Sequence, residues 1–270
     1  MTLADVRPGA VSFTLLGPVS ARVGEEPVVV DGRRQRVVLS LLVLARGRVV
    51  PTDTLIDAVW GDHPPFSART RIALCVRALR RAFRAAGHSS TVIAAAPPGY
   101  RLRTERAGFD VRRFDDLVTD ADRAAGRGEL IRAGTLYGGA LDLWSGPALQ
   151  GVGGRLTEGA AARLEARRRV VCEALLDVGQ RLADDGLFDE AGAALRSALR
   201  AAEALADPAL TARAHLTLAR HLVTIRRLTL ARRHFRAAAA LDEGRADMEP
   251  FERGPLRGEA LDLVPRQAVR

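Results

Sequence analysis

SARTRIALCVRALRRAFRAAG, residues 67–87, is the stretch from which the rest of the chain is best read. Ile72, Val76, Leu79 and Phe83 recur at helical spacing and make one apolar seam. At about 100° per residue, Thr70, Arg77 and Arg81 fall opposite that seam, with Arg69, Arg71, Arg80 and Arg84 on its flanks. A solvated surface helix would interleave glutamates with its arginines at i,i+4, yet no residue from Phe66 to Ala86 is acidic. The pattern predicts a helix that packs on one side and faces a polyanion on the other.

The segments before it supply its partners. Thr52 to Trp60 reads as a helix with Thr52 as N-cap and Leu55, Ile56, Val59 and Trp60 facing inward, ended by Gly61 and the Pro64-Pro65 pair. Arg33 to Ala45 reads as another, with Val37, Val38, Leu41, Leu42 and Ala45 buried and Gly47 beyond its end. Upstream, Val11 to Leu16 and Pro27 to Val30 favour strands, punctuated by Gly17-Pro18 and Gly24-Glu25. After the arginine-walled helix, Thr91 to Ala95 and Tyr100 to Arg103 read as two strands joined by a tight turn at Pro98-Gly99. Helix, turn, arginine-walled helix and basic hairpin together predict an α+β winged helix-turn-helix domain.

From Phe109 onward the chain turns to Ala-, Leu- and Arg-rich helical segments with almost no strand signal, which predicts an all-α second domain. Its helices share a spacing. Ala133, Tyr137 and Ala140 reappear in kind as Ala191, Leu195 and Ala198 and again as Ala231, Phe235 and Ala238. Twelve positions before each first alanine stands a small residue: Ala121, Gly179 and Ala219. This small-and-large pattern is similar to tetratricopeptide helix pairs, so the second domain is expected to be a tetratricopeptide-like helical repeat. Trp144 is expected to anchor the core between repeats. The expected domains are 1–105, 106–250 and a tail at 251–270.

Composition bounds the remaining classes. With 270 residues and 47% hydrophobic content the chain can build two cores. All 41 basic residues are arginine, and the net charge is +9. Residues 1–105 carry 15 Arg against 8 acids and the remainder 26 against 24, so the basicity is read as belonging to the first domain. Cys75 and Cys172 show no disulfide or metal spacing, and no apolar run approaches the ~18 residues of a membrane span, so a reduced, cytoplasmic protein is expected. No GxxxxGK[ST] occurs, and Gly151-Val152-Gly153-Gly154 lacks the dinucleotide spacing. His215 and His221, six residues apart, read as partly buried helix residues and not as a metal pair. No catalytic residue, metal or cofactor is expected.

Three stretches carry a resemblance to a known family. Residues 31–61 (DGRRQRVVLSLLVLARGRVVPTDTLIDAVWG), the run Val76-Arg77-Ala78-Leu79-Arg80-Arg81 and Gly99-Tyr100-Arg101-Leu102 are similar to the OmpR-type winged helix. Phe109 to Val118 and Leu143 to Leu149, with its LWxGPAL pattern, are similar to the bacterial transcriptional activator domain. That domain order resembles the Streptomyces antibiotic regulatory protein (SARP) family. The resemblance implies an activator that binds direct repeats in double-stranded DNA near promoters, recruits RNA polymerase and switches on specialised-metabolite genes. The family's recognition helix usually reads TLQ where this chain has Arg71-Ile72-Ala73, which implies a different preferred sequence. The last repeat, around Asp207-Pro208-Ala209 and Arg227-Leu228-Thr229, also departs from the family.

In this reading, residues 70–77 lie nearest the base edges, where arginine pairs with guanine O6 and N7. Arg80, Arg81 and Arg84, with Arg33, Arg34 and Arg36, are expected at phosphates, and Tyr100, Arg101 and Arg103 belong to the wing beside the minor groove. Direct repeats imply protomers side by side in a head-to-tail arrangement, with the helical domain contacting a second protomer or polymerase. A repressor, or a helical scaffold that does not bind DNA, is the alternative.

Overall fold

The computed structural model describes the backbone of residues 10–88, 91–103 and 107–246. The expected boundary after Glu105 and the tail 251–270 lie outside those residues. By contact, the chain divides into one unit of Met1–Asp120 with Gly139–Val170 and another of Ala121–Gly138 with Val171–Arg270. The units therefore interleave along the sequence, unlike the consecutive 1–105 and 106–250 division.

In the first unit, β1 (Val11–Thr14), β2 (Ser20–Val23) and β3 (Glu26–Pro27) form an antiparallel meander, and β7 (Ala107–Phe109) joins β1 in parallel to give the order β3-β2-β1-β7. Only the first two residues of Glu26–Pro27–Val28 pair as strand, so the expected strand at 27–30 is displaced. Val28 is buried and donates its N–H to Ala21, while Val29 faces solvent. β7 was not legible, since three residues carry no alternation and their pairing is set 96 positions away, Val11 opposite Ala107. Phe109 thus belongs to a strand and corrects the helical reading from that residue onward. Its ring stacks on Phe13 at 5.4 Å, and Phe13 meets Phe83 edge-on at 6.0 Å, which joins the sheet to the arginine-walled helix.

α1 (Arg33–Leu44), α2 (Thr52–Trp60) and α3 (Ala68–Ala85) pack on one another. In α1, Leu39 and Val43 are fully buried alongside Val37, Val38 and Leu42, whereas Leu41 and Ala45 are only half-buried. In α2, Leu55 and Ala58 are buried, while Ile56, Val59 and Trp60 are half-buried. Pro51, not Thr52, precedes that helix as its cap. The reason is tertiary: β4 (Val50–Pro51) pairs with β6 (Gly99–Leu102), and the Thr52 hydroxyl donates across to the Pro98 carbonyl at 3.2 Å. β5 (Ile93–Ala96) completes the sheet β4-β6-β5. The hairpin turn is Pro97-Pro98, with Gly99 already in the strand. A β-carbon at Gly99 would overlap the Val50 carbonyl, so only glycine lets β4 lie this close.

The helices that follow are α4 (Asp110–Gly126), α5 (Leu130–Leu141), α6 (Arg155–Asp184), α7 (Phe188–Ala204), α8 (Pro208–Thr224) and α9 (Leu228–Ala246). All nine alanine and large positions of the repeat pattern are buried, as are Ala121, Gly179 and Ala219. A β-carbon at Gly179 would lie 2.7 Å from Leu195 Cδ2, so the small residue of α6 admits the large one of α7. Asp207 caps α8 by accepting the Leu210 N–H at 3.1 Å, with Pro208 in the first turn.

The segment between α5 and α6 corrects the reading of Trp144. It is no anchor between repeats: its ring meets Phe114 edge-on at 5.6 Å and lies under the Arg168 guanidinium at 4.7 Å, all within the unit that holds the winged helix. The following residues bond to the chain just past the end of β1. Ser145 donates to Leu16 (2.8 Å), Leu149 to Leu15 (2.8 Å) and Gln150 to Gly17 (3.0 Å). The Asp110 carboxylate accepts the Leu15 and Leu16 N–H groups at 2.7 and 2.8 Å. Burial pushes that carboxyl above its ordinary value while these backbone donors pull it back. The glycine-rich turn finishes the junction. Val152 enters an apolar cluster with Val37 and Ala58, and Gly154, at positive φ, passes so close to the Ala58 carbonyl that a β-carbon would sit 2.8 Å away.

Candidate nucleic-acid interface

Ile72, Val76, Leu79 and Phe83 are all buried, so the seam of α3 packs as its spacing requires. Thr70, Arg77, Arg81 and Arg84 are exposed, and the last three arginines have no side-chain partner among the described residues. Ala73 is exposed as well. At about 100° per residue, the centre of this outward face falls on Leu74, which is 56% exposed and framed by Thr70, Arg77 and Arg81. Leu74 is not among the residues that the arginine pattern singles out. Its position opposite the seam was the signal that would have found it.

Other arginines of the helix also serve the domain itself. Arg80 is half-buried and its Nε donates to the Ile93 carbonyl at 2.8 Å, tying α3 to the wing strand β5. Arg69 pairs with Asp53 of α2 at 2.6 Å, and both groups are exposed, so the bond contributes less than about 1 kcal/mol. Arg71 Nε donates to the Ser67 hydroxyl at 3.0 Å, inside the first turn.

The wing presents Arg101 and Arg103 on its exposed face, alternating with buried Leu102, while Tyr100 is half-buried. The arginines of α1 are placed differently. Arg34 lies over the Trp60 ring at 5.5 Å. Arg33 and Arg36 border the glycine-rich turn, where β-carbons at Gly153 and Gly151 would lie 3.0 and 3.4 Å from them, and the Nε of Arg36 is buried. Arg80 thus ties α3 to the wing, and of the α1 set Arg33 and Arg34 remain exposed while Arg36 is half-buried beside the glycine-rich turn.

The histidines hold one arrangement that spacing could not reveal. His215 of α8 and His234 of α9 face each other with Nδ1 atoms 2.9 Å apart, one donating and the other accepting. Burial lowers the affinity of His215, His221 and His234 for a proton. Among the described residues no group of three or more His, Cys, Asp and Glu is placed to hold a metal ion, and no helix is long and apolar enough to cross a membrane.

Comparison with known proteins follows the same division. Residues 26–102 match the family described as transcriptional regulatory protein, C terminal, and residues 109–184 match the bacterial transcriptional activator domain. The chain is 36% identical over 179 residues to the regulatory protein DnrI of Streptomyces peucetius, covering 64% of this chain and 66% of that one. It is 35% identical over 169 residues to the regulatory protein AfsR of Streptomyces griseus, covering 63% of this chain but only 17% of that much longer one. Among solved structures, Mycobacterium tuberculosis EmbR in complex with a low-affinity phosphopeptide superposes with a TM-score of 0.69 at 28% identity, covering 91% of this chain and 62% of EmbR. A winged helix of OmpR type followed by an activator domain of paired helices, matched in sequence by these regulators, identifies the chain as a member of the SARP family.

Proposed function

We propose that the chain is a transcriptional activator that reads double-stranded DNA with α3 in the major groove and the wing beside it. The observation that carries this is the outward face of α3: arginines without acidic neighbours, surrounding an exposed leucine, on a helix whose other side is fully buried. Arg71 and Arg77 pair with guanine, each such pair discriminating by about 1–3 kcal/mol. Thr70 and Ala73 line the same face, and Leu74 meets thymine methyl groups. Arg81, Arg84 and the free donors of Arg80 and Arg69 neutralise phosphates, and Arg34 with Arg33 and Arg36 adds to the same positive field. Tyr100, Arg101 and Arg103 place the wing on the adjacent backbone and minor groove.

One such domain reads a short site, so protomers bind head to tail on direct repeats about one helical turn apart. The paired helices contact RNA polymerase and draw it to promoters of specialised-metabolite genes; that the chain's relatives are regulatory proteins supports a role in transcription. Selection from randomised duplexes, followed by transcription from a promoter carrying the recovered site, tests the reading. It predicts an enriched repeated motif, a relaxed preference in Arg77→Ala, and increased transcript. An absence of enrichment at low salt overturns DNA reading, and decreased transcript makes the protein a repressor.

A further inference from the structure

The second domain is nearly neutral as a whole, but its charge is segregated. Between Pro208 and Leu241 there are seven arginines and not one aspartate or glutamate, so this one stretch carries as much net charge as the first 105 residues. The acids of the domain lie before it and after it, from Asp110 to Asp207 and again from Asp242. Codon bias toward arginine does not produce this, since the preceding helices α4, α6 and α7 carry acids among their arginines.

The structure assembles the charges on one side. Ala231, Phe235 and Ala238 of α9 are buried, and at about 100° per residue Arg233 and Arg236 fall opposite them, with Arg232 on the flank. All three are exposed, as are Arg226 and Arg227 in the turn from α8, and none of the five side chains has an intramolecular partner among the described residues. Arg213, by contrast, pairs with Asp177 at 2.7 Å. Between the arginines of α9 the exposed residues are Thr229, Ala239 and Ala240. Exposed Leu228 and Leu230 project to either side of the stripe. Among the described side chains the stripe has no aromatic or large apolar anchor at its centre, of the kind that marks a protein interface, and no acid before Asp242.

We infer that this face is a second DNA-binding surface, one that holds the phosphate backbone of duplex flanking the site read by α3 and carries no sequence information of its own. The inference rests on the DNA-binding reading of the chain but uses a different unit and different residues.

The test compares the full chain with its Arg232→Ala, Arg233→Ala, Arg236→Ala triple variant on two duplexes, the recovered site alone and the same site with long arbitrary flanks. Alanine favours helix, and the three side chains are exposed, so the variant's unchanged melting is the control for folding. Three lost phosphate contacts make the log–log salt dependence shallower by about 2–3, so the wild type's advantage on the long duplex shrinks about 40-fold between ~50 and ~200 mM salt. On the short duplex the two proteins bind alike, and the variant keeps the wild-type sequence preference. An unchanged salt slope on the long duplex overturns the inference and leaves the stripe to an acidic protein partner. If α3 does not read DNA, Arg77→Ala is without effect while the triple variant still loses long-duplex affinity, so the two failures are distinguished.

Discussion

α3 and α9 share one construction, an apolar seam on one side and arginines on the other, yet the two faces differ in what their own domains do with them. In α3, Arg80 is bonded to a wing carbonyl, Arg69 to Asp53 and Arg71 to Ser67, leaving Arg77, Arg81 and Arg84 around the exposed Leu74. In α9, Arg232, Arg233 and Arg236 stand among alanine and threonine, flanked by Leu228 and Leu230, and have no side-chain partner among the described residues. On α3 the unpartnered arginines frame an apolar residue that can meet a thymine methyl, so the face can discriminate base edges. On α9 they are set among small residues, and the stripe can only sense charge. The difference separates reading from holding.

Charge reversal would break this comparison most directly. Arg77→Glu is expected to remove a base contact and place an acid against DNA, reducing specific affinity by more than the ~150-fold that a good bidentate pair supplies. Arg233→Glu should leave sequence preference intact and lower affinity for all long duplexes alike. Competition binding with matched and scrambled sites measures both, and equal effects of the two changes would erase the distinction.

Stability gives the next largest contrast. Arg80→Ala removes a charged hydrogen bond to the carbonyl of buried Ile93 and should cost about 1.5–3 kcal/mol in urea unfolding. Arg236→Ala, which loses no intramolecular bond, should unfold like the wild type. Leu74→Ala sharpens the account of α3 alone. It should weaken binding by about 1 kcal/mol, and replacing the contacted thymine with deoxyuridine should abolish the difference between the two proteins.

The helix pair that carries the stripe should also respond to pH. His215, His221 and His234 are depressed below the ordinary 6.5, chiefly by burial, with Arg196 adding to the effect at His221 and His215 adding at His234, and nearby carboxylates opposing it. Below 6.5 the unfolded chain therefore binds more protons than the folded one. Stability is fully present above 6.5 and falls as the pH drops toward the folded values. Replacing the pair by His215→Gln and His234→Gln should flatten that acid limb in thermal melts recorded between neutral and acidic pH. The smallest effect belongs to Arg69→Ala, whose exposed bond to Asp53 is worth below about 1 kcal/mol.

The repeat pattern was legible because small and large residues at fixed spacing encode helix crossings locally, and every one of those positions is buried. The seam of α3 was legible for the same reason. The role of Trp144 was not, because its partners Phe114 and Arg168 stand 30 and 24 positions away, and the LWSGPAL segment reveals nothing of the Leu15–Leu16 carbonyls it meets. Averaging charge over the whole second domain hid the acid-free run from Pro208 to Leu241, although its composition was present in the sequence throughout.

What the sequence determined by itself was the type and order of the helices, the winged hairpin and the distribution of arginine, since periodicity and composition act over a few turns. What only the tertiary structure decided was which arginines remain available. That depends on long-range neighbours, Ile93 for Arg80, Asp53 for Arg69 and the glycine-rich turn for Arg36, which no local pattern specifies. The pairing of β7 with β1 and of the segment after Trp144 with the end of β1 was likewise settled there, because backbone hydrogen bonds between distant strands are chosen by the folded chain as a whole.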